Sequence, residues 1–295
     1  MKPNCAVWAI DPHEENIRPS KSSLIDARNL LGGSLKNVHP VYIHSDDNIH
    51  ECRPWDELKE YLGHLEAGDT AEAEVIFAPG VTREALVHKI INFARERKGE
   101  LILLSTHGRS VLGEFVFGSF AHDLLEKSPL PVLILSPDKT TPASKNVMFA
   151  TDFSEDSFGA YKDFLKFVGG KADTVLLFHA VNIPTAGMVS LGLPGTFPEM
   201  LLEEEVQWSE ATMAKWEIAA QSAGLSLHLK SKVVEEFVRP SESILKAARD
   251  ENIGTIGIFA HGAAKGSYFL GSTARDILFA NDFNLWACGP GYVQI

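Results

Sequence analysis

Three groups of residues in this chain are of types that do chemistry. The first is STHGRSVLGEFVFGS, residues 105–119, where Gly108 and Gly118 are separated by nine residues. It follows the apolar run ELILL and precedes FAHDLLEKS, which reads as a helix from about Ser119. Glycines there allow a tight turn and close approach of backbone to a ligand. The amides of Ser119 and Phe120 then start a helix and offer unpaired donors to an anion. The second group, FAHGAAKGSYFLGS at 259–272, is a shortened copy, with eight residues between Gly262 and Gly271. The third is a pair of carboxylates, Asp11 and Asp152, each ending a short apolar run, CAVWAID and NVMFATD. A carboxylate so placed suits ribose hydroxyls or a base amino group, not a phosphate. A plainer reading stands beside this one: Ser119 and Ser272 as simple N-caps, with Gly108 and Gly118 serving turn geometry.

Other patterns carry less. HSDDNIHEC, residues 44–52, gathers His44, Asp46, Asp47, His50 and Cys52, but a solvated loop after a strand explains it better than a metal site. In GAAKGS, Lys265 precedes its glycine, so the phosphate loop Gly-x4-Gly-Lys-(Ser/Thr) is absent, as is a Gly-x-Ser-x-Gly nucleophile elbow. His107 and His261 occupy the same place in the two glycine loops, and neither has a carboxylate partner visible in sequence. No catalytic constellation emerges.

The elements that must position these residues alternate regularly. Apolar runs at CAVWAID, VHPVYIH, AEVIFAP, ELILLS and PVLILSP are separated by helical periodicity, with Leu86, Ile90 and Phe93 on one face of the third helix. After PDKTTPAS, a linker-like stretch at 137–144, the plan restarts. A helix at roughly 199–223 carries Leu202, Val206, Met213, Trp216 and Ala220 on one face. Continuous apolar strands between helices predict parallel sheets covered on both sides. The expectation is α/β: two tandem doubly wound, Rossmann-like domains, 1–140 and 145–295, each a five-stranded parallel sheet in the order 3-2-1-4-5. Asp11 and Asp152 are 141 residues apart, His44 and His179 135, and Gly108 and Gly262 154. The extra length falls in NIPTAGMVSLGLPGTFPEM, residues 182–200. In that strand order the winding reverses between strands 1 and 4, and ligands bind beyond their carboxyl ends. Asp11 faces Ser105–Ser119 there, and Asp152 faces Phe259–Ser272.

Composition narrows the partners. The chain has 295 residues, with 27 basic against 39 acidic and a net charge of −12. No basic run suits a nucleic acid, and no apolar run reaches the ~20 residues of a membrane helix. The start lacks the order of a secretory signal. Three scattered cysteines suggest neither a disulfide framework nor a cysteine metal site. The expected location is cytoplasmic.

With these features together, the sequence resembles the universal stress protein family in its tandem form, over almost the whole chain. Members with bound ATP carry Gly-x2-Gly-x9-Gly-(Ser/Thr) after strand 4 and an aspartate ending strand 1. Ser105-Thr-His-Gly108 and Gly118-Ser119 match except at the first glycine, TDFSEDS at 151–157 is very like the strand-1 ending, and PLPVLILSP at 129–137 looks like the fifth strand. The resemblance implies an adenine-nucleotide α-hydrolase-like fold. It places adenine and ribose near Asp11 and Ser45, and ribose and phosphates near Ser105, His107, Gly108, Arg109, Gly118, Ser119 and Phe120. The corresponding second-half positions are Thr151, Asp152, Ala180, Gly262, Gly271, Ser272 and Thr273. It further implies domains pairing through their fifth strands, possible self-association and an unidentified protein partner. Departures divide the halves: IDPHEEN replaces the usual ending of strand 1 in the first, while Phe259 and the shorter loop crowd the second. The expected function is a non-catalytic stress-response protein, at most a very slow ATPase, binding ATP or another adenine nucleotide with the first domain favoured. The alternatives are a ligand-free tandem scaffold, or a different small or apolar ligand in the second crevice.

Overall fold

A computed structural model describes residues 5–12, 18–44, 53–105, 119–137, 139, 141–181, 196–222, 228–235, 239–260 and 271–293. In the first half the order is β1 (Ala6–Ala9), α1 (Lys21–Leu30), β2 (Val38–His44), α2 (Pro54–His64), β3 (Glu74–Phe77), α3 (Arg83–Glu96), β4 (Leu101–Ser105), α4 (Ser119–Lys127) and β5 (Val132–Leu135). The second half repeats it with β6 (Asn146–Ala150), α5 (Glu155–Val168), β7 (Thr174–Val181), α6 (Thr196–Ser222), β8 (His228–Glu235), α7 (Pro240–Asp250), β9 (Ile253–Phe259), α8 (Ser272–Ala280) and β10 (Asn284–Cys288).

Local sequence sets several of these boundaries. Ser20, Thr82 and Ser154 each sit in extended backbone and accept from the amide three residues on, starting α1, α3 and α5. Pro54 and Pro240 open α2 and α7 at the first turn, where a missing N–H costs least. The helix expected near 199 begins earlier, at Thr196, with Met213, Trp216 and Ala220 buried along it.

All ten strands join one sheet in the order β3-β2-β1-β4-β5-β10-β9-β6-β7-β8. Each half is therefore 3-2-1-4-5, parallel throughout, as expected. The halves meet where β5 and β10 pair antiparallel, Trp286 opposite Leu133. The fifth strands thus close each other's edges within the chain. Strand residues alternate between two cores: Trp8 and Leu103 face α1, α2, α5 and α6, while Val7 and Ile102 face α3, α4, α7 and α8.

Polar contacts at the junction run in both directions. Asn284, fully buried in β10, accepts from the Ser136 amide at 3.1 Å and donates to Ser23 O at 2.8 Å. The segment after β5 reaches the end of α8, where Ser136 Oγ donates to Asn281 Oδ1 at 2.8 Å. The segment after β10 returns to the end of α4, where the Gly291 amide donates to Glu126 O at 3.0 Å. Beneath the linker, Lys139 Nζ donates to Asp26 and to Gly254 O at 3.2 Å, while the Ser144 amide donates to Asp26 Oδ1 at 2.7 Å. Both charged side chains are fully buried. Among the described residues no helix is long and apolar enough to cross a membrane.

Candidate functional site

Each half holds a cavity beyond the carboxyl ends of its first and fourth strands, where the winding reverses. The first, about 330 Å³, is floored by Ala9, Ile10 and Asp11 at the end of β1 and by Leu104 and Ser105 at the end of β4. Its walls are α3 (Arg83, Leu86, Ile90) and the first turn of α4 (Ser119, Phe120, Ala121). The second, about 260 Å³, is built from Ala150, Thr151 and Asp152, from Ile258 and Phe259, from α7 (Pro240, Ile244) and from Gly271 through Ala274. The structure thus brings together Asp11, Ser105, Ser119 and Phe120 in one cavity and Thr151, Asp152, Ala180, Gly271, Ser272 and Thr273 in the other. Ser45, His107, Gly108, Arg109, Gly118 and Gly262 lie outside the described residues.

The two helix starts are not serine-capped. Ser119 is already the first residue of α4. In α8 the N-cap is Gly271, with no side-chain cap, and Ser272 is the first helical residue. The N-cap reading of Ser272 is therefore wrong by one position: Gly271 is the cap and the Ser272 amide is the first of the unpaired set, while Ser119 already lies within α4. Amides of a first helical turn bear partial positive charge, and in both halves that turn lines the cavity.

The strand register corrects one pairing between the halves. Ile10 N donates to Val41 O at 2.9 Å, and Thr151 N donates to Phe178 O at 2.9 Å. Val41 therefore matches Phe178, Tyr42 matches His179, and Ile43 matches Ala180. The alignment of His44 with His179, and of Ser45 with Ala180, is displaced by two residues. A two-residue slip keeps every side chain on its face, so alternation of apolar residues does not reveal it. His44 is itself buried, its Nδ1 3.2 Å from the Tyr42 hydroxyl and its ring edge-on to Phe77. Its ring thus packs in the core, while Asp46, Asp47, His50 and Cys52 lie outside the described residues.

At the mouth of the second cavity the TDFS turn is held by its own side chains. Asp152 Oδ1 accepts from the Ser154 amide at 3.0 Å and from Ser154 Oγ at 2.7 Å, and Thr151 Oγ1 accepts from the Phe153 amide at 2.9 Å. Phe153 takes a left-handed φ of 60° and stacks 4.4 Å from the His179 ring. His179 Nδ1 lies 2.8 Å from Thr151 O, which fixes that nitrogen as the donor. Burial pushes the His179 pKa below its usual value, opposed by the bond to Thr151 and the carboxylates Glu205 and Asp152. A depressed histidine stabilises the fold fully above about pH 6.5 and loses that contribution as pH falls through its folded value. His179→Asn keeps a donor near Thr151 O but cannot titrate. Denaturant unfolding at pH 7 and pH 5 is expected to show a smaller acid-side loss in the variant than in the wild type. An equal loss in both would place the titration elsewhere.

Two ion pairs brace the walls of the first cavity. Arg83 Nε donates to Asp123 Oδ2 at 2.7 Å, and Lys127 Nζ donates to Glu84 Oε1 at 2.7 Å, each joining α3 to α4. On α2, Tyr61 is buried, and that burial raises its phenol well above the usual range, with the nearby Asp11 carboxylate adding to the effect. His122, Asp123 and Glu126 are the group among the described residues whose ligand atoms come within 4.8 Å of one another. The guanidinium on Asp123 opposes a cation there. Sequence reasoning missed Arg83, Tyr42 and Ile43 as lining residues, and took Leu86 as core although it is half-buried in the cavity wall.

The chain is thus a pair of tandem doubly wound α/β domains, each with a crevice between an aspartate and a helix start. The chain belongs to the universal stress protein family, whose sequence profile matches residues 26–136 and again 143–279. No curated protein sequence matches the chain. Among solved structures it resembles a universal stress protein from Archaeoglobus fulgidus DSM 4304, at 20% identity and a TM-score of 0.61, covering 99% of this chain and 100% of that one. It also resembles a putative universal stress protein from Pseudomonas aeruginosa UCBPP-PA14, at 15% identity and a TM-score of 0.58, covering 97% and 93%. A protein of unknown function from Pseudomonas aeruginosa PAO1 shares 15% identity at a TM-score of 0.60, covering 97% and 92%. At these identities the likeness is one of fold.

Proposed function

We propose that the protein is a cytoplasmic, non-catalytic stress-response protein whose first crevice binds an adenine nucleotide, ATP foremost. The observation that carries this is the cavity between Asp11 and the first turn of α4. A carboxylate that accepts from hydroxyl or amino groups stands on one side, and partially positive amides suited to phosphate stand on the other. Its volume falls at the small end of ordinary ligand sites. The reading proposed for this site is binding and not turnover. Output then passes through conformation or a partner protein.

The second crevice favours a different occupant. Phe259 stands where Ser105 stands in the first, both one residue beyond the paired positions Ile258 and Leu104. Phe259 lines the floor there, and the second cavity is the smaller. A less charged or more apolar ligand suits it.

Ser119→Asp tests the first site. A carboxylate at the first helical position favours the helix dipole, so the fold is expected to persist, yet it opposes an incoming phosphate. Titration calorimetry is expected to show ATP binding to the wild type and at least about a tenfold loss in the variant, since a like-charge contact costs several kcal/mol. Unchanged affinity would remove α4 from the site.

A further inference from the structure

We propose that Arg83 makes the first crevice a reader of phosphate charge, selecting a nucleoside polyphosphate over the bare nucleoside; this rests on the nucleotide reading of that crevice. The residue owes its place to a difference in helix length. Leu104 and Ile258 occupy the same position in the two sheets, 154 residues apart, each opposite the last residue of its half's first strand. At that offset Ile90 matches Ile244 and Leu86 matches Pro240, and all four line their cavities. Pro240 is the first residue of α7, whereas α3 begins three residues before Leu86, at Arg83. The first domain therefore has nearly a turn more helix at the rim of its crevice than the second, and Arg83 starts that turn.

The added turn carries charge across the mouth. Arg83 lines the cavity, and its Nε is held on α4 by Asp123 at 2.7 Å. That bond ties the guanidinium to α4 and leaves its terminal N–H groups without another partner among the described residues. A planar fork of donors matches phosphate oxygens two at a time. Glu84, next in the same turn, ties to Lys127 at 2.7 Å and steadies the segment. In the second domain the corresponding Asp276 likewise receives an arginine, Arg239 Nη1 at 3.3 Å, together with Ser241 Oγ at 2.9 Å, but neither Ser241 nor Arg239 lines that cavity. Its crevice rim carries Pro240 where the first has Leu86 preceded by the charged turn. The first turn of α4 and Arg83 line the same cavity, so the amides and the guanidinium offer two separate contacts to a chain of phosphates.

The test is a calorimetric series of adenosine, AMP, ADP and ATP against the wild type, Arg83→Ala and Arg83→Lys. Wild-type affinity is expected to rise along the series. Arg83→Ala is expected to lose about tenfold or more for ATP, the scale of one charge-assisted contact, and less than about twofold for adenosine. Arg83→Lys is expected to recover part of the ATP affinity, since a point charge replaces the fork. Equal losses for ATP and adenosine would make Arg83 a brace only and overturn the proposal. No loss with either ligand would overturn it as well. If the wild type binds neither adenosine nor ATP, the nucleotide reading itself fails, and the selectivity falls with it.

Discussion

Asp26→Asn is expected to lower the unfolding free energy by about 3–5 kcal/mol, the usual cost of stripping one partner from a buried ion pair. Asp26 lies on α1 of the first domain. Its carboxylate receives Lys139 from the linker and the Ser144 amide just before β6, while Lys139 also reaches Gly254 O in β9. Burial raises the Asp26 pKa and lowers that of Lys139, and their mutual attraction opposes both shifts. Asparagine leaves the buried Lys139 ammonium with no counter-charge, facing only an amide and the Gly254 carbonyl. The second domain is involved directly: a Cβ on Gly254 would stand 2.5 Å from Ser144 O and 2.8 Å from Asp26 Oδ2, so no side chain fits between the pair and β9. The double replacement Asp26→Leu with Lys139→Met separates charge from packing. It is expected to recover most of the loss, because well-packed apolar residues often replace buried pairs at no net cost. Denaturant unfolding checks both. A single Asp26→Asn variant within about 0.5 kcal/mol of the wild type, the range of an ordinary surface change, would mean that the pair does not bridge the linker in solution.

Gly289→Ala is the second large effect, at about 3 kcal/mol of destabilisation, the upper part of the usual overpacking range. Gly289 follows β10 and presses on the far end of α4, where a Cβ would come within 1.9 Å of Leu125 O. The obstacle is backbone, so no rotamer change relieves it. Two residues on, the Gly291 amide caps Glu126 O. The C-terminal segment of one domain thus seats the helix whose other end lines the first crevice. Gly289→Ala should lower both the unfolding midpoint and, through the displaced α4, the ATP affinity of folded protein. Wild-type stability in this variant would show that the strap does not press on α4.

The fold was legible because its signals are local and repeated. Runs such as ELILL and PVLILSP between helical periods dictate a parallel sheet covered on both faces, and the strand order follows from how such units wind. The crevices were legible for the same reason: Asp11 and Ser119 are far apart in the chain but belong to the ends of the strands where winding reverses. Two kinds of feature were not. The match of Tyr42 with His179 hides behind a two-residue slip that preserves the face of every strand residue, and it takes the hydrogen bonds of Val41 and Phe178 to expose it. Arg83 and Lys139 look like ordinary solvated charges in TREALV and PDKTTPAS. What makes them special is a neighbour forty or more residues away, Asp123 or Asp26, and no local pattern encodes that.

The proposed adenine-nucleotide site is the first crevice and not the second. Calorimetric titration of ATP into wild type, Ser119→Asp and Ser272→Asp tests it most directly, because the two variants place the same charge at equivalent helix starts, Ser119 of α4 and Ser272 of α8. The account predicts that Ser119→Asp abolishes measurable binding while Ser272→Asp leaves it within about twofold, given the several kcal/mol of a like-charge contact. Loss of binding in Ser272→Asp with retention in Ser119→Asp, or no ATP binding by the wild type at millimolar concentration, would contradict it.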